Sequence, residues 1–184
     1  RHTYVTDMSP DLMKRVVTPD DIVSAKAEGK HCRYMTGNGI PLAGNRRNTQ
    51  EELRYIRVFY QLGVRMMHLT YNRRNPIGDG CAEPADAGIS EFGREVILEM
   101  NRVGVIVDIA HSGRQTGLDA AAISERPIVI SHSCAMSLNK HVRCKDDETI
   151  RAVIAKGGTM GITNVPYFLG GQGDISTMLD HIDY

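Results

Sequence analysis

The chain has 184 residues, 41% apolar and 24% charged, the composition of a globular protein long enough to bury a core. Its 22 basic residues balance 22 acidic ones with no basic run, which argues against a nucleic-acid partner. No stretch approaches the roughly 18 apolar residues of a membrane span, and the first residues lack the charged-then-apolar pattern of a signal peptide.

The chain reads as one domain over residues 1–184. It opens at Arg1 and closes at Tyr184 within an apparently helical run, TMLDHIDY, so it is expected to be a piece of something longer. The first clear helix spans 18–29. Thr18 is placed to cap it, Pro19 takes the first helical position, acids fill the first turn and Gly29 ends it. A short extended run, Arg33–Thr36, follows. The next helix, 49–62, carries a capping-box pattern in Thr49 and Glu52, with Leu53, Ile56 and Tyr60 on one face. Gly63 stops it before the strand Val64–Leu69.

Residues 71–88 (YNRRNPIGDGCAEPADAG) form a long polar loop without helical period, of the kind that is usually functional or mobile. Helix 90–103 then repeats the earlier design: Ser90 caps it, Phe92, Val96, Met100 and Val103 line a stripe, and Gly104 closes it before the strand Val105–Ile109. A shorter helix over 114–124 leads to the strand Pro127–Ser131. Helix 146–156 leads through Gly157 and Gly158 to the strand Thr159–Thr163. Apolar strands separated by helices predict a parallel sheet covered on both faces. An eight-stranded barrel takes about 250 residues, so the expected fold is α/β, a (β/α)8 TIM-type barrel of which about five units lie here. A doubly wound open sheet is the alternative, although no GxGxxG follows a strand.

The residues at the strand ends carry the chemistry. Asn38, Tyr71, His111, His132 and Asn164 each follow a predicted strand, at the edge where parallel β/α proteins place their sites. His111 in VIVDIAHSG and His132 in PIVISHSCA end consecutive strands, about 5 Å apart in a sheet, so both imidazoles can converge on one ion such as zinc. The alternative is that each is a hydrogen-bonded structural group. Arg143 lies in the loop after the His132 strand. Its fork suits a substrate carboxylate near a metal, and the alternative is a surface pair with Asp146 or Asp147. His2, His31, His68, His141 and His181 lack matching context and read as surface or packing residues. Cys32, Cys81, Cys134 and Cys144 have no CxxC spacing, which argues against a zinc ribbon; free thiols are favoured over disulfides, and with them a reducing, cytoplasmic setting, though the compartment stays open.

At these residues the chain resembles the renal or membrane dipeptidase family of zinc-dependent, amidohydrolase-type barrels. The resemblance runs from about Thr18 to Tyr184. Its strongest parts are YQLGVRMMHLTYNRRNPIGDG, ISEFGREVILEMNRVGVIVDIAHSG and PIVISHSCAM, with weaker likeness in GKHCRYMTGNG and LDHIDY. It implies hydrolysis of short peptides by metal-activated water, with His111 and His132 holding one of two zinc ions and Arg143 holding the substrate's C-terminal carboxylate. The family's bridging glutamate falls at Asn38, which has no carboxylate. A substrate-side histidine falls at Tyr71, a weaker donor; the catalytic residue stays open, with Tyr71 one candidate, and Asn38 and Tyr71 join Arg143 as candidate substrate-binding residues. The family's early HxD pair and late aspartate have no counterpart in these residues. Three readings follow: a dipeptidase in the full-length parent, a one-metal amidohydrolase acting on another small amide, or a catalytically silent partial barrel whose open sheet edges associate with a partner or a second copy.

Overall fold

The computed structural model describes residues 6–42 and 48–184; His2 lies outside them. Six strands form one sheet: β1 (Met13–Val16), β2 (His31–Gly37), β3 (Val64–His68), β4 (Ile106–Asp108), β5 (Val129–Ser133) and β6 (Thr159–Ile162). Five helices connect them, α1 (Pro19–Ala27), α2 (Thr49–Gln61), α3 (Glu91–Val103), α4 (Arg114–Ile123) and α5 (Asp147–Ala155). Two more, α6 (Pro166–Leu169) and α7 (Ile175–Asp183), follow β6.

Every neighbouring pair is parallel, and the order in the sheet is the order in the chain. A repeated β/α unit winding in one direction gives this order, whereas a doubly wound sheet reverses at a switch point. The described strands show no reversal.

The sequence reading counted five strands, and β1 makes six. Its residues, MKRV, include two basic ones, and only Val16 is buried, so neither an apolar run nor a clean alternation marks it. The structure also moves a cap. Asn48, rather than Thr49, precedes α2, and its Oδ1 accepts from the amides of Gln50 (3.0 Å) and Glu51 (3.4 Å). Both residue types cap well, and the neighbouring choice shifts the start by one position. The other two caps stand where the residues put them. Thr18 and Asp21 form a reciprocal box at α1, and Ser90 accepts from the Gly93 amide while Gly104, at φ 93°, ends α3.

The core lies between the sheet and its helices. Leu53 and Ile56 from α2 and Val96, Ile97 and Met100 from α3 pack with Met67, Val107, Ile109, Ile128 and Ile130. Each such side chain contributes roughly 1.5–3 kcal/mol through burial, which fixes the strand ends above it. The loop at 71–88 is pinned down. Arg74 pairs with buried Asp79, the Asp79 amide donates to Thr116 Oγ1 (3.0 Å), and Asp86 accepts from the Gln115 amide (2.6 Å) and Thr116 Oγ1 (2.9 Å) at the start of α4. No helix among the described residues is long and apolar enough to cross a membrane.

Candidate metal and substrate site

The C-terminal ends of β3, β4 and β5 bring their polar side chains together. His68 is the last residue of β3 and is in register with Asp108, the last residue of β4. His111 follows three residues later. His132 lies within β5, which runs to Ser133 rather than ending at Ser131. The three imidazoles form a triangle with ring centroids 5.0 Å (His68–His111), 5.0 Å (His111–His132) and 5.4 Å (His68–His132) apart. His111 Nε2 and His132 Nε2 approach to 3.0 Å.

Two of the three imidazoles have an orienting hydrogen-bond partner. His111 Nδ1 donates to Asn72 Oδ1 (2.7 Å), which leaves Nε2 with its lone pair. Asn72 itself adopts the left-handed region, φ 59°. His132 Nδ1 lies 2.7 Å from Ser131 Oγ. Burial holds His111 well below the usual histidine range, at about 3, helped by the Arg143 guanidinium; burial and then Arg143 lower His132 as well. Both rings are therefore neutral at physiological pH, the state a metal ligand needs.

Asp108 is fully buried. One of its oxygens, Oδ1, accepts from the amides of Ala110 (2.9 Å) and Ser131 (3.1 Å). The other, Oδ2, sits 2.7 Å from His68 Nε2 without the alignment of a hydrogen bond. Burial alone would raise this carboxyl's pKa, but His68 and the donors around it outweigh burial and lower it.

Arg143 is buried, not on the surface. Its guanidinium donates to Ala110 O, and Nη2 lies 3.2 Å from His111 Nε2 and 3.5 Å from His132 O. The surface-pair alternative fails because Asp146 pairs with Arg114 and Asp147 with Arg151. Tyr71 stacks on His111 at 4.0 Å and 19°, with 51% of its surface exposed. Asn38 is exposed just past β2. Lys145 is buried, its amine donates to Ser112 O, and burial lowers its pKa to about 8.

His68, expected from the sequence as a surface or packing residue, is buried, and the fold places it beside His111 and His132. Placing the end of that strand at Leu69 made His68 an interior position, whereas it is the strand's last residue. Asp108, an ionisable group inside the apolar run VIVDIA, is a signal that the same reading passed over. His31 is exposed, and His181 packs, its ring accepting from the Ala135 amide. A cavity of about 720 Å³ lies elsewhere, lined by residues including Ile150, Met160, Ile162 and Met178. It contains none of the clustered polar groups.

A parallel β/α sheet with imidazoles, a carboxylate and a guanidinium gathered at the C-terminal edge of its strands has the layout of an amidohydrolase-type protein. The sequence matches the profile of the membrane dipeptidase family (peptidase family M19) over residues 2–184, and the chain belongs to that family. It is 28% identical over 182 residues to dipeptidase tcpJ of Claviceps purpurea, covering 98% of this chain and 41% of that protein. It is 34% identical over 178 residues to an uncharacterised dipeptidase of Schizosaccharomyces pombe, covering 94% and 41%. The structure of an amidohydrolase from Pseudomonas aeruginosa superposes with a TM-score of 0.89 at 32% identity, covering 100% of this chain and 55% of that one. The chain thus spans less than half the length of the curated relatives it matches.

Proposed function

We propose that the full-length protein is a metal-dependent dipeptidase that cleaves short peptides ending in a free carboxylate just past the scissile bond. One observation carries this reading: two neutral imidazole nitrogens, His111 Nε2 and His132 Nε2, face each other across 3.0 Å beside a buried arginine. Two nitrogens at about 2.0–2.1 Å from one tetrahedral ion stand roughly 3.3 Å apart, so the pair suits a divalent cation, and zinc is the ion the resemblance implies. When bound there, such an ion supplies polarisation of the scissile carbonyl and acidification of a water molecule.

The chain's own residues do the rest. Arg143 offers a fixed fork for the substrate's terminal carboxylate, its position set by Ala110 O and His132 O. Asn72 holds the His111 tautomer. Tyr71 walls the substrate side with its ring and presents a hydroxyl, and Asn38 contributes an amide past β2. The fold we infer for the whole protein is a (β/α)8 barrel, of which residues 1–184 form part of a single domain. The names of the dipeptidase relatives support the substrate class.

Measuring zinc content and dipeptide hydrolysis in the full-length protein tests this directly. His111→Ala and His132→Ala are each expected to abolish both. Unchanged zinc and activity in either variant would overturn the assignment.

Asn38 favours a second reading, a one-metal amidohydrolase acting on another small amide, because it is an amide where the resemblance places a bridging carboxylate. One ion per chain supports this version, and two support the first.

A further inference from the structure

We propose that His68 and Asp108 are themselves metal ligands, joining His132 around the same ion that His111 faces. This rests on the metal reading above but names a donor set that the His111–His132 pair alone does not contain.

The first observation is geometric. His68, Asp108 and His132 each bring a donor atom within 4.8 Å of the other two. Two imidazoles and a carboxylate are the three protein ligands of an open zinc site, with further positions left for water or substrate.

The second is an orphaned polar pair. His68 is 4% exposed and Asp108 0%, yet Asp108 Oδ2 and His68 Nδ1 have no hydrogen-bond partner. Buried polar groups are nearly always satisfied, and an unpaired carboxylate oxygen in a dry interior is costly. Oδ2 cannot turn away, because Oδ1 is anchored by the Ala110 and Ser131 amides. A carboxylate with one oxygen pinned by two amides and the other turned toward His68 is oriented as hydrogen bonds orient a metal-binding carboxylate. Its neighbour at 2.7 Å is His68 Nε2, close enough to pair but outside hydrogen-bond geometry. A cation shared with the His68 ring satisfies Oδ2.

The third is charge. The Arg143 guanidinium lies 3.2 Å from His111 Nε2 and competes for that lone pair. An ion bound by neutral imidazoles alone would sit beside this cation without compensation. Asp108 supplies the negative charge, and no carboxylate is available at Asn38 to do so.

The alternative is a structural ion pair between His68 and Asp108 with no part in metal binding. The test uses the full-length protein stripped of metal and titrated with Zn²⁺, with His68→Gln and Asp108→Asn as variants; asparagine retains the Oδ1 acceptor for Ala110 and Ser131. Losing a group that only hydrogen-bonds to a ligand costs about 10–100-fold in metal affinity, so losing a ligand itself is expected to weaken Zn²⁺ binding by more than about 100-fold. X-ray absorption of the zinc adduct should count one fewer imidazole in His68→Gln. Variants that bind within a few-fold of wild type with an unchanged spectrum, while His132→Ala binds nothing, overturn the proposal and leave the dipeptidase reading standing. A wild-type protein that binds no Zn²⁺ overturns both. Ring-nitrogen NMR shifts of the wild type, with and without Zn²⁺, need no variant at all. The His68 nitrogen must move on metal addition, and its failure to move defeats the proposal.

Discussion

Arg143 Nη2 lies 3.2 Å from His111 Nε2, so a permanent cation faces the lone pair of a buried imidazole. Burial, then this cation, holds His111 at about 3 and lowers His132 in the same direction. An unfolded chain has histidines at the ordinary 6.5. Between these values the unfolded state binds protons that the folded state does not, so stability falls as pH drops from about 6.5 toward 3. Each histidine contributes up to about 1.4 kcal/mol per pH unit. The carboxylates with lowered pKa act in a more acidic window, below their usual 3.8. The metal-free protein should therefore melt at a lower temperature near pH 5 than near pH 7, with a smaller difference in His111→Gln. Equal melting temperatures would rule out neutral buried imidazoles.

Arg143→Lys keeps the charge and loses the two-pronged geometry. In the full-length protein kcat/KM for a free-acid dipeptide should fall by about 10–100-fold, or roughly 1.4–2.8 kcal/mol. Hydrolysis of the same dipeptide with its C-terminus amidated should change little. Equal losses on both substrates would detach Arg143 from the carboxylate.

Tyr71→Phe preserves the ring that stacks on His111 at 4.0 Å and removes only the hydroxyl. Zinc content should stay constant while kcat/KM drops about tenfold, close to 1.4 kcal/mol. Full activity in this variant would reduce Tyr71 to a wall of the site.

Asp86 caps α4 from a distance. Gly113, at the N-cap, has no side chain to offer, and Asp86 accepts instead from the Gln115 amide and the Thr116 hydroxyl. Asp86→Ala should destabilise the protein by about 1–2 kcal/mol in a urea titration. No shift in the midpoint would mean that water replaces the cap at no cost.

Gly80 is the tight point of the pinned loop. A Cβ there would overlap the Asn72 carbonyl and the Arg73 amide nitrogen. Backbone has to move to admit it, a cost of typically 1–3 kcal/mol. Asn72 orients His111, so Gly80→Ala is expected to weaken zinc binding as well as to lower Tm. A lower Tm with unchanged zinc affinity would uncouple the loop from the site.

Much of this architecture is legible in the residues. The helix ends at Thr18, Ser90 and Gly104 announce themselves because each capping side chain or glycine has one local job, and the convergence of His111 and His132 follows from two consecutive strands. Other features depend on contacts far along the chain. β1 is hidden because Lys14 and Arg15 interrupt its apolar character, and its position comes from pairing with β2. Arg143 resembles a surface residue among NKHVRCKDD until the fold turns it under Ala110, 33 residues away. His68 needed only a strand end drawn one residue earlier, a precision that local pattern does not provide.

The polar centre draws on β3, β4 and β5, which adjoin one another in both chain and sheet. Each neighbouring pair is nevertheless joined through a helical crossover rather than a tight turn, a non-local connection of the kind that makes parallel sheets slow to form. Neither β1 nor β6, at the margins of the sheet, supplies any of the clustered imidazoles. Substitutions in β1 or β6 that lower stability are expected to leave the geometry around Asp108 in place, whereas substitutions in β3, β4 or β5 disturb it directly.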